Sequence, residues 1–372
     1  MKHIWGYKPF AEICITLTPT SKIGKSEYLS HGQYPIISQE DIYISGYWND
    51  KKDITLHSSP VIIFGDHSRV LKYVDFEFVV GADGVKIIQP IGLLDAKFLY
   101  HFLRWYNVPS LGYSRHFKLL KEANYPVPPM ETQKQIVAEL DQINDLIAKN
   151  RELLSQLDVL AQSLFYYTFG DPISNQKGWA VYDIKSITEV LRDGPFGSNL
   201  KSSHYTDSGI RVIRLQNIGV GYFDDEDKAF ISEDYYPNIS KYTCYPGDVI
   251  LGTLGNPNLR ACIVPPYLEK AIHKADCVRL VPDRTLLESK YVEAYFNNPS
   301  VLSMASKDIH GATRARISCG QIAKFLIPVP PLALQEDFGA KVEAIESQKA
   351  KVEAEIAELQ TLLNARMDYW FN

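Results

Sequence analysis

Paired cysteines are missing from this sequence. Cys14, Cys244, Cys262, Cys277 and Cys319 are scattered over 372 residues with no Cys-x-x-Cys pair and no histidine at zinc-ligand spacing. This argues against a disulfide framework and against a structural metal, so no metal site is expected. The five read as reduced thiols of a cytoplasmic protein. No run of about 18 apolar residues occurs, and the segment from Met1 to Phe10 has no apolar stretch, so neither membrane insertion nor secretion is expected. Positive charge is also short, 39 Lys and Arg against 44 Asp and Glu, for a net charge of -5. That sign counts against a free-standing binder of phosphate backbone, unless basic side chains gather on one surface or a partner supplies part of the field. A hydrophobic content of 45% is that of a globular chain, and the length suits two or three domains.

What is present is a large internal duplication. YPVPPMETQKQIVAELDQI starts at Tyr125 and IPVPPLALQEDFGAKVEAI at Ile327, and the match runs without a gap at an offset of 202, so that Gln133 meets Gln335, Tyr167 meets Tyr369 and Phe169 meets Phe371. Upstream, Ala82-Asp83-Gly84-Val85-Lys86 aligns with Ala275-Asp276-Cys277-Val278-Arg279, and LDAKFLYHF from Leu94 with LESKYVEAYF from Leu287, both at an offset of 193. The chain is two copies of one plan: a variable globular domain, a Pro-Val-Pro-Pro stop and a helix. Proline donates no backbone hydrogen bond and disfavours α geometry before it, so each run should end a domain. Short β-branched runs such as Pro60 to Phe64 and Asp248 to Leu251 predict strands, and the segments from Leu94 and Leu287 predict a helix in each half.

After each stop, apolar residues recur in alternating steps of four and three. The first series runs Ile136, Leu140, Ile143, Ile147, Asn150, Leu154, Leu157, Ala161, Leu164; the second runs Phe338, Val342, Ile345, Lys349, Val352, Ile356, Leu359, Leu363. This is a coiled-coil seam, and each copy has one strongly polar intruder, Asn150 and Lys349. An antiparallel pair with those two close together, fixing register, is predicted; two separate surface helices are the alternative. A helix of roughly 33 residues is about 50 Å long, enough to act as a spacer.

HGATRARISCGQIAKFLIPVPPLALQ from His310 and DGPFGSNLK from Asp193 resemble, respectively, the end of a target recognition domain running into a conserved helical region and the opening loop of that domain in type I restriction-modification specificity subunits. The corresponding loop of the first half, TPTSKIGKSEY from Thr18, departs from the Gly-Pro-Phe-Gly pattern. The resemblance implies an α/β (α+β) chain: two globular target recognition domains of mixed strands and short helices, separated by two long antiparallel coiled-coil helices with pseudo-twofold symmetry. The boundaries would be 1–130, 131–170, 171–331 and 332–372, with the second and fourth segments helical spacers. It also implies double-stranded DNA as ligand, a complex with two modification subunits that are adenine-N6 methyltransferases using S-adenosylmethionine, and restriction subunits driven by ATP with Mg. This chain itself would hold no cofactor. Two unlike heads on such a spacer would read half-sites about one turn apart, roughly 34 Å, giving an asymmetric bipartite target.

Candidate DNA contacts follow from residue type and place. Gly194, Gly197, Ser198 and Lys201 form a Gly-rich loop before a predicted strand, where exposed N–H groups and a Lys grip a phosphate, or else an ordinary turn. Arg314 and Arg316, with the small Thr313 beside them, present forked donors for guanine or phosphate, with Arg115 and His116 in the same place in the first half; a structural salt bridge is the competing account. Gln216 and Asn217 after the predicted strand Arg211 to Leu215, and Gln39 with Asp41 after Ile36-Ile37, carry amides and carboxylates able to read base edges, or to cap turns, and Arg214 in that strand is a further candidate contact. Lys22, Lys25, His67 and Arg69 complete the set.

Several strings resembling enzyme motifs do not hold. Gly24-Lys25-Ser26 imitates the end of a phosphate-binding loop, but Pro19 stands where its first glycine belongs. Pro282-Asp283 with Glu288-Ser289-Lys290 imitates a nuclease signature and reads better as a helix start. No Asn/Asp-Pro-Pro-Tyr/Phe string of an adenine methyltransferase occurs; Val264 precedes Pro265-Pro266-Tyr267. The chain is expected to recognise DNA without catalysis. The specificity chain of a bipartite type II restriction-methylation enzyme, or a two-domain scaffold with no DNA role, are the alternatives.

Overall fold

The computed structural model describes residues 5–57, 60–112, 114–307 and 316–372. It divides into two compact units, Met1–Leu153 with Val352–Asn372, and Leu154–Lys351.

In the first unit two four-stranded sheets carry the globular part. One is antiparallel, in the order Cys14–Leu17, Val85–Pro90, Val61–Gly65, Leu71–Val74. The other runs Lys22–Ile23, Val79–Gly81, Tyr34–Ile37, Gly46–Trp48, and its first two pairings are parallel. Val61 to Phe64 are all fully buried, so the run has no polar alternation: both faces are covered. The helix Ala96–Tyr106 starts where the Asp95 carboxylate accepts from the N–H groups of Lys97 and Phe98, at 2.8 and 2.9 Å. Its apolar face, Phe98, Leu99 and Phe102, joins one core with Ile136, Leu140 and Ile147 of the first long helix and Leu363, Met367 and Phe371 of the second.

The second unit repeats the plan. Its antiparallel sheet is ordered Thr188–Asp193, Cys277–Pro282, Val249–Gly252, Arg260–Ile263, and a five-stranded sheet holds the parallel pair Ile210–Ile213 and Ala271–His273. The helix Ser289–Phe296 is capped by Glu288, whose carboxylate accepts from Tyr291 N at 3.0 Å. Glu288-Ser289-Lys290 is thus a helix start. Phe165, Phe169 and Phe338 pack edge to face, with centroids 5.0 to 5.8 Å apart. Each such buried ring contributes roughly 1.5–3 kcal/mol.

The long helices span Met130–Phe169 and Leu332–Phe371, each beginning directly after its Pro-Val-Pro-Pro run. Gly170, at φ 79°, takes the left-handed conformation that closes the first, and Lys177 donates to the last-turn carbonyls of Tyr167 and Thr168 at 2.6 and 2.9 Å. Within the first unit, Glu139 binds Arg366 and Trp370 while Asn150 donates to Glu355 at 3.2 Å. Within the second, Asp158 meets Lys349 and Phe165 meets Phe338. Rising numbers on one helix meet falling numbers on the other in both, which is antiparallel pairing. Asn150 and Lys349 are half-exposed and each bonds a carboxylate of the other helix within its own unit, Glu355 and Asp158.

The duplicated glutamines explain why the match is strictest where helix and globular part meet. Gln133 is fully buried; its Oε1 accepts from Asp95 N at 2.8 Å and its Nε2 donates to Leu93 O and Pro128 O at 2.7 and 2.8 Å. Gln335 repeats the pattern with Glu288 N, Leu286 O and Pro330 O, at 2.9, 2.9 and 2.8 Å. One side chain thereby joins three segments: the cap of the short helix, the turn before it and the proline stop.

Candidate nucleic-acid interface

In both units the candidate residues come from loops at corresponding ends of strands. In the first, Gln39 follows the strand Tyr34–Ile37, and His67 to Arg69 form the turn between Val61–Gly65 and Leu71–Val74. The Gln39 amide is a latch: its Nε2 donates to Asp83 O at 2.9 Å, its Oε1 accepts from His67 N at 3.3 Å, and Ser68 Oγ donates to its backbone carbonyl at 2.6 Å. Gly84 lies against it, so that a Cβ there would fall 2.7 Å from the amide. Arg69 sits in the left-handed region at φ 64° and sends Nη1 to Val108 O at 2.9 Å. Lys22 faces Asp83 at 3.9 Å and Lys25 pairs with Glu40, which holds the Lys25 ammonium above its ordinary range. Asp41, His67 and Arg115 are exposed.

His116 is corrected by the structure. It is 1% exposed; its Nε2 accepts from Leu111 N at 3.0 Å, which leaves Nδ1 to donate to Asp66 O at 3.0 Å. Both ring nitrogens are committed, so it organises the loop beside Arg115 and touches nothing outside. Asp66, which also accepts from Phe117 N at 2.9 Å and faces Lys86 at 3.7 Å, is the buried centre of that arrangement.

In the second unit the Gly-rich loop follows the strand Thr188–Asp193, where the sequence placed it before one; two short 3-10 turns, Gly197–Asn199 and Ser202–His204, come next. Gly194 is there for close approach: a Cβ would fall 2.1 Å from Lys274 O. Gly197 adopts φ 60°, and Ser198 and Lys201 are exposed. Arg316 Nε binds Asp276 at 2.9 Å, with Nη2 3.8 Å from Asp193, and its guanidinium lies 4.8 Å from the Phe196 ring. Burial outweighs Arg316 at Asp193 and raises that carboxyl above its usual range. Thr313 and Arg314 lie outside the described residues.

The loop after Ile210–Ile213 holds Arg214, Gln216 and Asn217. Arg214 pairs with Asp227 and lies 5.7 Å from the Tyr205 ring, and Gln216 is exposed. Asn217 is the second correction. It is fully buried, with Oδ1 accepting from Arg214 N at 2.9 Å and Nδ2 donating to Asp224 O and Asp227 O at 2.9 and 2.8 Å. Its amide is a loop staple and reads no base.

These loops thus present cations already oriented by carboxylates. Exposed ion pairs contribute only about 0–1 kcal/mol, so exchanging a carboxylate for a phosphate or a guanine edge costs little. The organising acids, Asp66, Asp83, Asp193 and Asp276, were not singled out as site residues, although the aligned Ala-Asp of both copies marked two of them and Asp193 opens the DGPFGSNLK loop. Among the described residues, no group of His, Cys, Asp and Glu could hold a metal, and no helix is long and apolar enough to cross a membrane. The free cysteines include four that are buried, and burial pushes the Cys14 and Cys277 thiols up to about 12, far from reactivity.

Comparison with known proteins bears on this geometry. Residues 5–158 match the family model described as the type I restriction modification DNA specificity domain. The type I restriction enzyme MjaVIII specificity subunit of Methanocaldococcus jannaschii is 20% identical over 375 residues, covering 93% of this chain and 84% of the relative. The EcoR124I/EcoR124II specificity subunit of Escherichia coli is 24% identical over 354 residues, covering 88% and 83%. Among solved structures, the type I restriction-modification S subunit from M. genitalium superposes with a TM-score of 0.61 over 99% of this chain and 96% of that one at 14% identity, a likeness of fold.

Proposed function

We propose a role for this chain from one premise: it belongs to the family of type I restriction-modification specificity subunits. Its function is recognition of a DNA target for a restriction-modification complex. The finer reading is that residues 1–130 and 171–331 are two target recognition domains and that 131–170 and 332–372 are helical spacers. Each domain reads one half of a bipartite target, and the two halves differ in sequence. The chain contributes recognition, and catalysis belongs to its partners: two adenine-N6 methyltransferase subunits that bind S-adenosylmethionine, and restriction subunits that use ATP with Mg.

One observation carries this reading. Loops at corresponding strand ends hold unlike polar sets, Gln39 and Asp41 in one unit against Arg214 and Gln216 in the other. One scaffold used twice with different side chains at the same place is what an asymmetric bipartite target requires, since base edges are told apart by donor and acceptor pattern. The helix pairing inside each unit supports the spacer reading. Sequencing methylated bases in a host that carries the chain with its modification partners tests it. One motif of two unlike halves is expected; a continuous motif, or none, overturns the proposal. DNA affinity of the assembled complex should also fall steeply with salt.

A further inference from the structure

Two cations that no sequence motif singled out, Lys72 buried and Arg260 partly buried, lie on the second strand of corresponding hairpins. Lys72, 3% exposed, lies on Leu71–Val74, the second strand of its hairpin, opposite Ile63. Its ammonium donates to the carbonyls of Ile42 and Tyr43, at 2.6 and 3.3 Å. Burial lowers it below the ordinary lysine range, and Glu40 and Asp41 offset that through their charge. Arg260 lies on Arg260–Ile263, again the second strand of the hairpin, opposite Gly252. Its Nε donates to Ile218 O, Nη2 to Leu215 O at 2.9 Å, and Nη1 to Leu254 O and Pro257 O at 2.9 and 3.2 Å.

Both carbonyls held by Lys72, and two of the four held by Arg260, belong to corresponding loops; Leu254 O and Pro257 O lie in the hairpin turn of Arg260 itself. Ile42 and Tyr43 follow Tyr34–Ile37, and Leu215 and Ile218 follow Ile210–Ile213; each of those strands pairs in parallel with the short strand before the last strand of its unit's antiparallel sheet. The two cations differ in residue type and in their place along the hairpin, so they are not a copied position. A strand facing a core favours an apolar residue, and a charge buried there persists only when its donors are satisfied. Here the satisfying groups include two backbone carbonyls of the loop that carries Gln39 and Asp41, or of the loop that carries Arg214 and Gln216.

We propose that Lys72 and Arg260 are positioning residues for target discrimination: each fixes the backbone of the loop bearing its unit's base-reading side chains, so that losing one cation blurs one half of the target and spares the other. This rests on the reading that each unit reads one half-site. The test uses the full complex in a host, with the wild-type chain, Lys72→Met, Lys72→Arg and Arg260→Met, and maps methylated bases across the genome. A wrong base is rejected about 5- to 150-fold per position when its contact is well placed. Lys72→Met should raise methylation at sites mismatched in one half by about tenfold, a value within that range, and leave the other half as strict as before. Arg260→Met should do the same to the opposite half. Lys72→Arg, which keeps donors toward the two carbonyls, should retain the wild-type motif. Met variants that assemble with their partners at wild-type yield and either leave both halves strict or relax both equally would overturn the proposal. Where a Met variant fails to assemble, Lys72→Gln or Arg260→Gln, which keep an amide donor, are read against the same two outcomes. A wild-type chain without a bipartite motif would instead remove the functional reading on which this one stands.

Discussion

Gln133→Ala should be among the costliest polar truncations in the first unit. The side chain is fully buried and makes three hydrogen bonds of 2.7 to 2.8 Å. Truncation strands the Asp95 N–H and the carbonyls of Leu93 and Pro128, of which the contact to Pro128 is buried and the other two are partly so. An unsatisfied buried group costs about 1–3 kcal/mol and a partly buried one less, so the sum is roughly 3 kcal/mol. For a unit of this size each kcal/mol moves the melting temperature by about 2–4 °C, which places the shift at roughly 6–12 °C. Scanning calorimetry of the purified chain measures it. Gln133→Glu adds a check of mechanism: its carboxylate would face two carbonyls without a donor, so it should be at least as destabilising at pH 7 and recover in part under acid, where the protonated group donates once. A shift below about 2 °C for Gln133→Ala would refute the reasoning, because the three groups would then have found other partners.

Gly194→Ala forces the backbone away from Lys274 O, which a Cβ would approach to 2.1 Å; specific DNA affinity of the assembled complex should drop by tenfold or more, about 1.4 kcal/mol, with little change in nonspecific binding. Replacing Asn150 and Lys349 together by Leu should change stability by less than about 1 kcal/mol, since both are half-exposed and paired to carboxylates, and a large rise in melting temperature would contradict that geometry. Burial raises Glu293 from its ordinary range to about 7, against the opposing pull of Lys290 at 2.8 Å. Its folded value lies above its unfolded one, so the stability it contributes is full below about pH 4.5 and is lost as pH rises through 7. Denaturant titrations from pH 4 to 8 should therefore show a decline that Glu293→Gln abolishes.

The elements themselves were legible because their signals are local. Alternating steps of four and three from Ile136 and Phe338, stopped by proline upstream, specify helices, and those helices span Met130–Phe169 and Leu332–Phe371. Strictness of the duplication at Gln133 and Gln335 also had a readable cause in principle, since a polar residue identical in both copies beside a proline stop signals a shared constraint. Loop chemistry was different. His116 and Asn217 have the composition of DNA-reading residues, and Lys72 that of an ordinary surface lysine, yet all three are buried and bonded.

Sequence by itself therefore determined the duplication, the two heptad seams and the order of domain, stop and helix, each encoded by residues a few positions apart. Tertiary structure alone decided which polar side chains face outward. The partners of His116, Gln39 and Arg260 include groups of Asp66, Asp83 and Leu215, which lie 50, 44 and 45 residues away. A backbone carbonyl has no residue type, so no pattern along the chain announces that one of them will take up a buried donor.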